Sequence, residues 1–337
     1  MNRRMIAEWE PQSAVLLALP RPDSDWAPYI GEILEFYEAL IAAITRFERV
    51  VLVCANAKEA FRRFGNNRVL CVEMNANDTW ARDFGAIAIK EGDQTALMDF
   101  EFNGWGLKFP ANYDNQINAK LKARGVFGGV KLVKTGWILE GGSVESDGAG
   151  TIMTTEKCLF APNRNAIWTK ADFEGRLSRD LCAKRVLWLK NGHLENDDTD
   201  AHIDTLARFC DQNTIAFVGC DNPSDSHYEA LRAMKAEILA FRKLDGTPYR
   251  FIELPMCDPI YYGGERLPAT YANFLILNGA VIAPIYGVQS DEKALEVLKT
   301  VFADREIIAL NASVAARQHG SIHCLTMQLP AAVKPPI

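Results

Sequence analysis

Acids, a histidine and a thiol stand beside hydrophobic runs in four short segments of the 337-residue chain. The segments are Asp78-Thr-Trp-Ala-Arg-Asp-Phe-Gly85, Leu139-Glu-Gly-Gly-Ser143, Asp197-Asp-Thr-Asp-Ala-His-Ile-Asp204 and His319-Gly-Ser-Ile-His-Cys324. All but the third carry a glycine of their own. Loops at strand ends can converge on one mouth, so these are the ingredients of a site. The residues that could do chemistry are Cys324, His202, Asp204, Asp83 and Glu140. Two or three carboxylates in one pocket repel each other unless a cation sits among them. The natural cation is a substrate guanidinium, whose planar fork of N–H groups matches bidentate carboxylates. Its central carbon is an electrophile open to a thiolate. The set points to hydrolysis of a guanidino group.

Each residue also has a plainer explanation. Any one cysteine is usually a small buried hydrophobe. Cys324 departs from that pattern because it follows a glycine-containing loop and precedes an expected strand, Leu325-Thr-Met-Gln-Leu329. The acidic run Asp197–Asp200 could open a helix. His202 and Asp204, two apart, would share one face if they lay on a strand. Asp83 could form a surface ion pair with Arg82, as could Asp78, and Glu140 could be a turn residue. A calcium loop fails for want of glycine and glutamate at the required positions. A di-metal hydrolase is weakened by a total of five histidines, and no Cys/His cluster suggests zinc. The phosphate-binding glycine patterns and the serine-nucleophile elbow are both absent.

The spacing of the candidates says what must position them. From Asp83 to Glu140 is 57 residues, from Glu140 to His202 is 62, and from His202 to Cys324 is 122. A unit of roughly 60 residues arranged about an axis would bring equivalent positions together, as in propellers. One unit, between His202 and Cys324, would then contribute nothing. Strand and helix alternate throughout, which predicts an α/β class. Strands are expected at 14–19, 50–54, 69–74, 86–90, 94–100, 151–155, 184–189, 250–254 and 306–310. Helices are expected at 30–46, 55–64, 226–243 and 291–302, the first capped by Asp23 or Ser24. No composition break or linker divides residues 1–337, so a single domain is expected. The net charge of −6 argues against nucleic acid and anionic membranes. Eight scattered cysteines without a Cys-x-x-Cys pair, and an N-terminus lacking an apolar signal segment, lead us to expect a reducing cytoplasm.

Seven motifs carry a family likeness. They are Ala7-Glu-Trp-Glu-Pro11, Asn77-Asp-Thr-Trp-Ala-Arg-Asp-Phe-Gly85, Phe102-Asn-Gly-Trp-Gly106, Leu139-Glu-Gly-Gly-Ser143, Thr199-Asp-Ala-His-Ile-Asp204, Tyr271-Ala-Asn-Phe-Leu-Ile-Leu-Asn-Gly279 and Gly320-Ser-Ile-His-Cys-Leu-Thr-Met-Gln328. Together they resemble the agmatine deiminases, which share a domain with the Porphyromonas-type peptidylarginine deiminases, and the likeness runs essentially end to end. The resemblance implies the pentein fold, a five-bladed α/β propeller of ββαβ units. It implies conversion of agmatine and water to N-carbamoylputrescine and ammonia, in putrescine and polyamine synthesis. By the same resemblance Cys324 matches the nucleophile and His202 the general acid/base. Asp83 and Asp204 match the guanidinium clamps, Glu140 the carboxylate beside the histidine, and Trp80 a pocket wall. No metal or organic cofactor is implied. The partner is the small-molecule substrate agmatine, and a homodimer is compatible with the family.

Two departures stand at the site: Gln318-His319-Gly320-Ser321 replaces a triple glycine, and Ala201 replaces a frequent glycine before the histidine. The alternatives are an arginine or peptidylarginine deiminase, an amidinotransferase, a non-catalytic guanidine-binding protein and a cysteine protease. An arginine deiminase would need a cation for the substrate carboxylate, and Arg266 or Lys108 could supply it.

Overall fold

The computed structural model describes residues 3–336. Its strands fall into five larger sheets of like connectivity and one two-stranded hairpin. In each larger sheet a short inner strand pairs antiparallel with the next strand, which pairs parallel with a third reached through a helical crossover. Parallel neighbours require such a crossover, whereas the antiparallel pair needs only a tight turn. The sequence Ala207–Asp211, Thr214–Val218, helix Tyr228–Ala240, Arg250–Leu254 shows one unit in full. The unit repeats with inner strands Ile87–Glu91, Glu145–Ser146, Leu275–Leu277 and Met327–Pro330.

The last unit is made from both ends of the chain. Met327–Pro330 pairs antiparallel with Gln12–Ala18, which runs parallel to Arg49–Cys54. Strands from near both ends of the described residues thereby share one sheet, which makes five units of like connectivity, the pentein fold of the similar solved structures. Arg3–Met5 adds a fourth strand to the neighbouring sheet by pairing with Ile87–Glu91.

Central strands such as Val50-Val-Leu-Val are buried on both faces, which explains their unbroken apolar runs. Helix Ile30–Thr45 buries Ile33, Phe36, Tyr37, Leu40, Ile41 and Ile44. That set recurs at three- and four-residue steps and gives the helix one apolar face. Its start differs from expectation. Neither Asp23 nor Ser24 caps it; a 3-10 turn at Ala27–Tyr29, containing Pro28, leads in, and Tyr29 is the first flanking residue. Proline's fixed φ prepares the turn without a side-chain cap. The helix expected to reach residue 243 stops at Ala240, because Phe241 turns extended. Among the described residues no helix is long and apolar enough to cross a membrane.

Candidate active site

Each inner strand is preceded by a short turn, and the five turns present their side chains to one place. Asp83 sits on the one-turn helix Ala81–Phe84, Glu140 immediately before the 3-10 turn Gly141–Ser143, and His202 and Asp204 on the turn around Ile203–Thr205. Cys324 lies in the turn before Met327–Pro330. His202 and Asp204 therefore lie at a 3-10 turn and not on a strand, and the acidic run before it is no helix start. Asp197 instead folds it, accepting from Thr199 N at 3.1 Å and Ala201 N at 2.6 Å.

The fifth turn, the unit expected to contribute nothing, holds Asn273. Its side-chain Nδ2 donates to Asp204 Oδ2 at 3.2 Å, and its Oδ1 accepts from Cys324 N at 3.2 Å. Asn273 lies 69 residues beyond Asp204 and 51 before Cys324. The hairpin of Tyr261–Tyr262 and Glu265–Arg266 lengthens that unit and hides it from a 60-residue ruler.

His202 is fully buried, with Nδ1 3.6 Å from Asp83 Oδ1 and Nε2 4.0 Å from Glu140 Oε2. Burial pulls the imidazole pKa down, but Asp83, Cys158 and Glu140 outweigh it and hold the ring well above its usual value. Asp83 accepts from Trp105 Nε1 at 2.9 Å and Gly142 N at 3.0 Å. Burial, reinforced by Asp204 and Glu140 and opposed by His202, pushes its carboxyl up to about 6. Asp204 Oδ2 lies 2.7 Å from His323 Nδ1 and 3.7 Å from Cys324 Sγ. Burial would raise Asp204 as well, yet His323 and the charges of His202 and Arg208 keep it below the usual range. Cys324 is raised well above an ordinary thiol by burial and by Asp204 and Asp83.

Two glycines are required by this packing. A Cβ on Gly142 would stand 2.7 Å from His202 Nδ1 and 2.8 Å from Asp83 Oδ1, inside the space the carboxylates face. A Cβ on Gly320 would stand 2.1 Å from the Trp80 ring. Trp80, Asp83, Trp105, Phe109, Asp198, Thr199 and Cys324 are among the residues lining one narrow cleft of about 30 Å³. Trp105 is held there at a φ of 56°, strained backbone of the kind found at sites.

Sequence reasoning missed Asn273, Arg164 and Cys158. Arg164, itself buried, donates from Nε to Glu140 Oε1 at 2.7 Å, and its NH1 meets Asp200 Oδ2 at 2.7 Å. Cys158, grouped with the inert thiols, places its sulfur beside His202 and Glu140. Asp83 and Arg82 form no surface pair: both are buried, and Arg82 bonds Glu8 instead. The two cations proposed for a substrate carboxylate are engaged elsewhere. Arg266 forks onto Asp225, and Lys108 bonds Asp200 Oδ2 and Asp198 O.

Five ββαβ units whose turns meet at a thiol, an imidazole and three carboxylates define a pentein of the guanidine-modifying class. Within that class, the chain belongs to the Porphyromonas-type peptidyl-arginine deiminase family, whose profile matches residues 4–330. Among solved structures, a Porphyromonas gingivalis protein provisionally described as an arginine deiminase shares 46% identity at a TM-score of 0.94, over 98% of this chain and 99% of that one. A C. jejuni agmatine deiminase, solved as a cysteine-to-serine variant with substrate bound, shares 38% identity at a TM-score of 0.92, over 98% and 97%. The agmatine deiminase of Pseudomonas syringae pv. tomato is 32% identical over 98% of this chain and 96% of its own.

Proposed function

We propose that this chain is an agmatine deiminase, a hydrolase that converts agmatine and water to N-carbamoylputrescine and ammonia, serving putrescine synthesis. The observation that carries it is a buried surplus of negative charge. Asp83, Asp204 and Glu140 converge at the end of the cleft, where Arg164 already holds one oxygen of Glu140. Glu140 Oε2 and Asp204 Oδ1 are buried without a partner among the described residues. Unpaired buried carboxylate oxygens are costly, and a planar guanidinium satisfies them with its own N–H groups.

The same cation prepares the nucleophile. Without substrate, Asp204 and Asp83 disfavour a negative sulfur. A guanidinium between them cancels that field and lowers the thiol pKa, so the thiol proton leaves to solvent as the cation binds. The Cys324 thiolate attacks the central carbon to form a C–S bond. His202, held protonated by its acidic neighbours, gives a proton to the departing nitrogen, and ammonia leaves. The S-alkylthiouronium so formed is attacked by water, from which His202 takes a proton. The C–S bond then breaks, returning the thiolate and releasing the carbamoyl product.

The far end of the substrate is read by charge. Asp198 lines the cleft, and no side chain among the described residues bonds its carboxylate. Asp78, also on the wall, is occupied by Trp26 Nε1 at 3.1 Å. A primary ammonium suits Asp198; the α-carboxylate of arginine would be repelled there, and Arg266 and Lys108 are already paired. The reading takes residues 1–337 as a single catalytic domain, assembled as a homodimer in the cytoplasm, a setting in which its eight free thiols stay reduced.

The test is ammonia release from agmatine, arginine and a blocked peptidyl-arginine, with wild type and Cys324→Ala. Turnover of agmatine above the others, lost by at least about 10⁴-fold in the variant, is expected. Preference for arginine or the peptide would overturn the substrate assignment. Undiminished turnover in Cys324→Ala would overturn the mechanism.

A further inference from the structure

Two buried clusters in this chain have the ligand types and spacing to hold a metal ion, and they are not alike. In the first, Glu8, Glu145 and His323 offer oxygen and nitrogen atoms within 4.8 Å of one another. That space is already filled by cations of the protein. Arg82 and Arg208 bond both oxygens of Glu8, and Arg208 also bonds Glu145. In the second, Glu140, Cys158 and His202 each offer one ligand atom within 4.8 Å of the others, and all three residues are fully buried. Here Glu140 Oε2 and both ring nitrogens of His202 have no hydrogen-bond partner among the described residues. Buried polar atoms almost always have one; His202 Nδ1 faces Asp83, but Glu140 Oε2 and His202 Nε2 lie together near a thiol and mark a place where something else binds.

We propose that Glu140, Cys158 and His202 form a binding site for a soft divalent transition-metal ion, Zn²⁺ by preference, which switches the enzyme off. One sulfur, one imidazole nitrogen and one carboxylate oxygen form a donor set of the kind zinc accepts, with a fourth position left for water. Glu140 Oε2 and His202 Nε2 are 4.0 Å apart, a little wider than a tetrahedral edge, so small side-chain shifts close the site. The surrounding charge is compatible. Arg164 bonds the other oxygen of Glu140 and is itself neutralised by Asp200, while Asp83 lies on the opposite side of the imidazole. Binding replaces the S–H bond of Cys158 and one N–H bond of the protonated His202 by bonds to the metal and releases both protons to solvent. The ion enters by the narrow cleft that also serves substrate, so onset is slow and agmatine protects. His202 and Glu140, once ligated, are unavailable to the substrate. That last consequence rests on the function proposed above; the binding itself does not.

Cys158 forms no bond to substrate in the reaction derived above, though it helps to hold His202 protonated, so it is changed with each variant's own metal-free turnover as the reference. The probe is Co²⁺, whose bond to a thiolate gives a near-ultraviolet charge-transfer absorption, titrated into wild type, Cys158→Ala, Cys158→Ser and Cys324→Ala. One Co²⁺ per chain with that absorption is expected in wild type and in Cys324→Ala, and its loss in both Cys158 variants. In parallel, the Zn²⁺ concentration that halves ammonia release, measured against each variant's own metal-free turnover, should rise at least about tenfold in the Cys158 variants. A thermal melt shows whether each variant is folded, and the two replacements guard against one that is not. Absorption that survives in Cys158→Ala and disappears in Cys324→Ala would move the metal to the nucleophile and overturn the proposal. Absence of the band in wild type would overturn it too. Because Co²⁺ binding is read without turnover, failure of the agmatine assignment would leave this result interpretable.

Discussion

Two buried charged clusters lie back to back in this molecule, one opening to the cleft and one beneath it. The lower cluster joins Glu8, Arg82, Arg208, Glu145 and His323, and its acids are matched by its own arginines. Arg208, fully buried, also donates to Ala272 O at 3.0 Å and Phe274 O at 2.8 Å. The upper cluster has three acids and a single arginine, with orphaned oxygens and ring nitrogens. The upper acids are almost fully buried, and in the lower cluster only Glu8 reaches solvent, with a side chain 20% exposed. What separates a structural network from a site is whether the chain supplies the counter-charge itself. His323 joins the two, with Nδ1 on Asp204 above and Nε2 on Glu8 below. The saturated cluster thus orients a clamp of the unsaturated one.

Removing a cation from the lower cluster should have the largest effect on the molecule. Arg208→Leu leaves buried Glu145 without its cation and Glu8 with Arg82 alone. We expect a loss of about 3–5 kcal/mol or failure to fold, read by chemical denaturation. A variant as stable as wild type would break the comparison, since it would show that the lower acids need no partner.

The upper cluster should respond in the opposite sense. Glu140→Gln keeps an acceptor for Arg164 and replaces the orphaned oxygen with an amide of the same size. Activity should fall by about 10²–10⁴-fold. Stability should move by less than about 1 kcal/mol, because Asp200 still pairs Arg164. Loss of stability comparable to that of Arg208→Leu would show that Glu140 is structural.

A third acid sharpens the comparison at the mouth of the cleft. Burial pushes Asp198 up to about 6, offset in part by His319 and Lys108. A raised carboxyl is ionised above that value and neutral below it, so the ammonium end of agmatine loses its partner as pH falls. KM for agmatine should rise below about pH 6. In Asp198→Asn, KM should be about tenfold higher and lack that inflection, with kcat little changed. A pH profile identical to wild type would remove Asp198 from recognition.

The sequence already carried most of the framework. Runs such as Val50–Val53 and the stepped apolar set of Ile30–Thr45 are direct records of burial, and both elements stand where they were expected. Asp83, Glu140, His202, Asp204 and Cys324 were legible as candidates because their chemistry is uncommon beside turn glycines. The structure brings all five together. Arg164 was not legible: it sits in an irregular loop, Pro162-Asn-Arg-Asn165, where no periodicity says which way a side chain points. Cys158 was hidden because a buried thiol in an apolar run looks the same whether its neighbour is a leucine or a histidine. The saturated network was hidden as well, because its partners are up to 320 residues apart, as with Glu8 and Gln328.

The smallest expected effect concerns how the upper cluster is held. Asp200 and Ala201 both lie in the left-handed region, at φ of 67° and 64°, immediately before His202. This is where the resemblance leads one to expect glycine, and alanine there is strained. The strain is maintained locally. Asp197 Oδ2 accepts from Ala201 N at 2.6 Å, and Ala201 O accepts from Thr155 Oγ1 at 2.8 Å. Ala201→Gly relieves the steric cost but adds freedom to the unfolded chain, so the net gain should be about 0.5–1 kcal/mol with turnover preserved. Denaturation and ammonia release on the same preparation check both halves. If glycine destabilises the chain or slows the reaction, then the alanine methyl is packing against the cluster and fixing His202. The upper site would then owe its geometry to side-chain packing as the lower one does, and the contrast between them would narrow to charge alone.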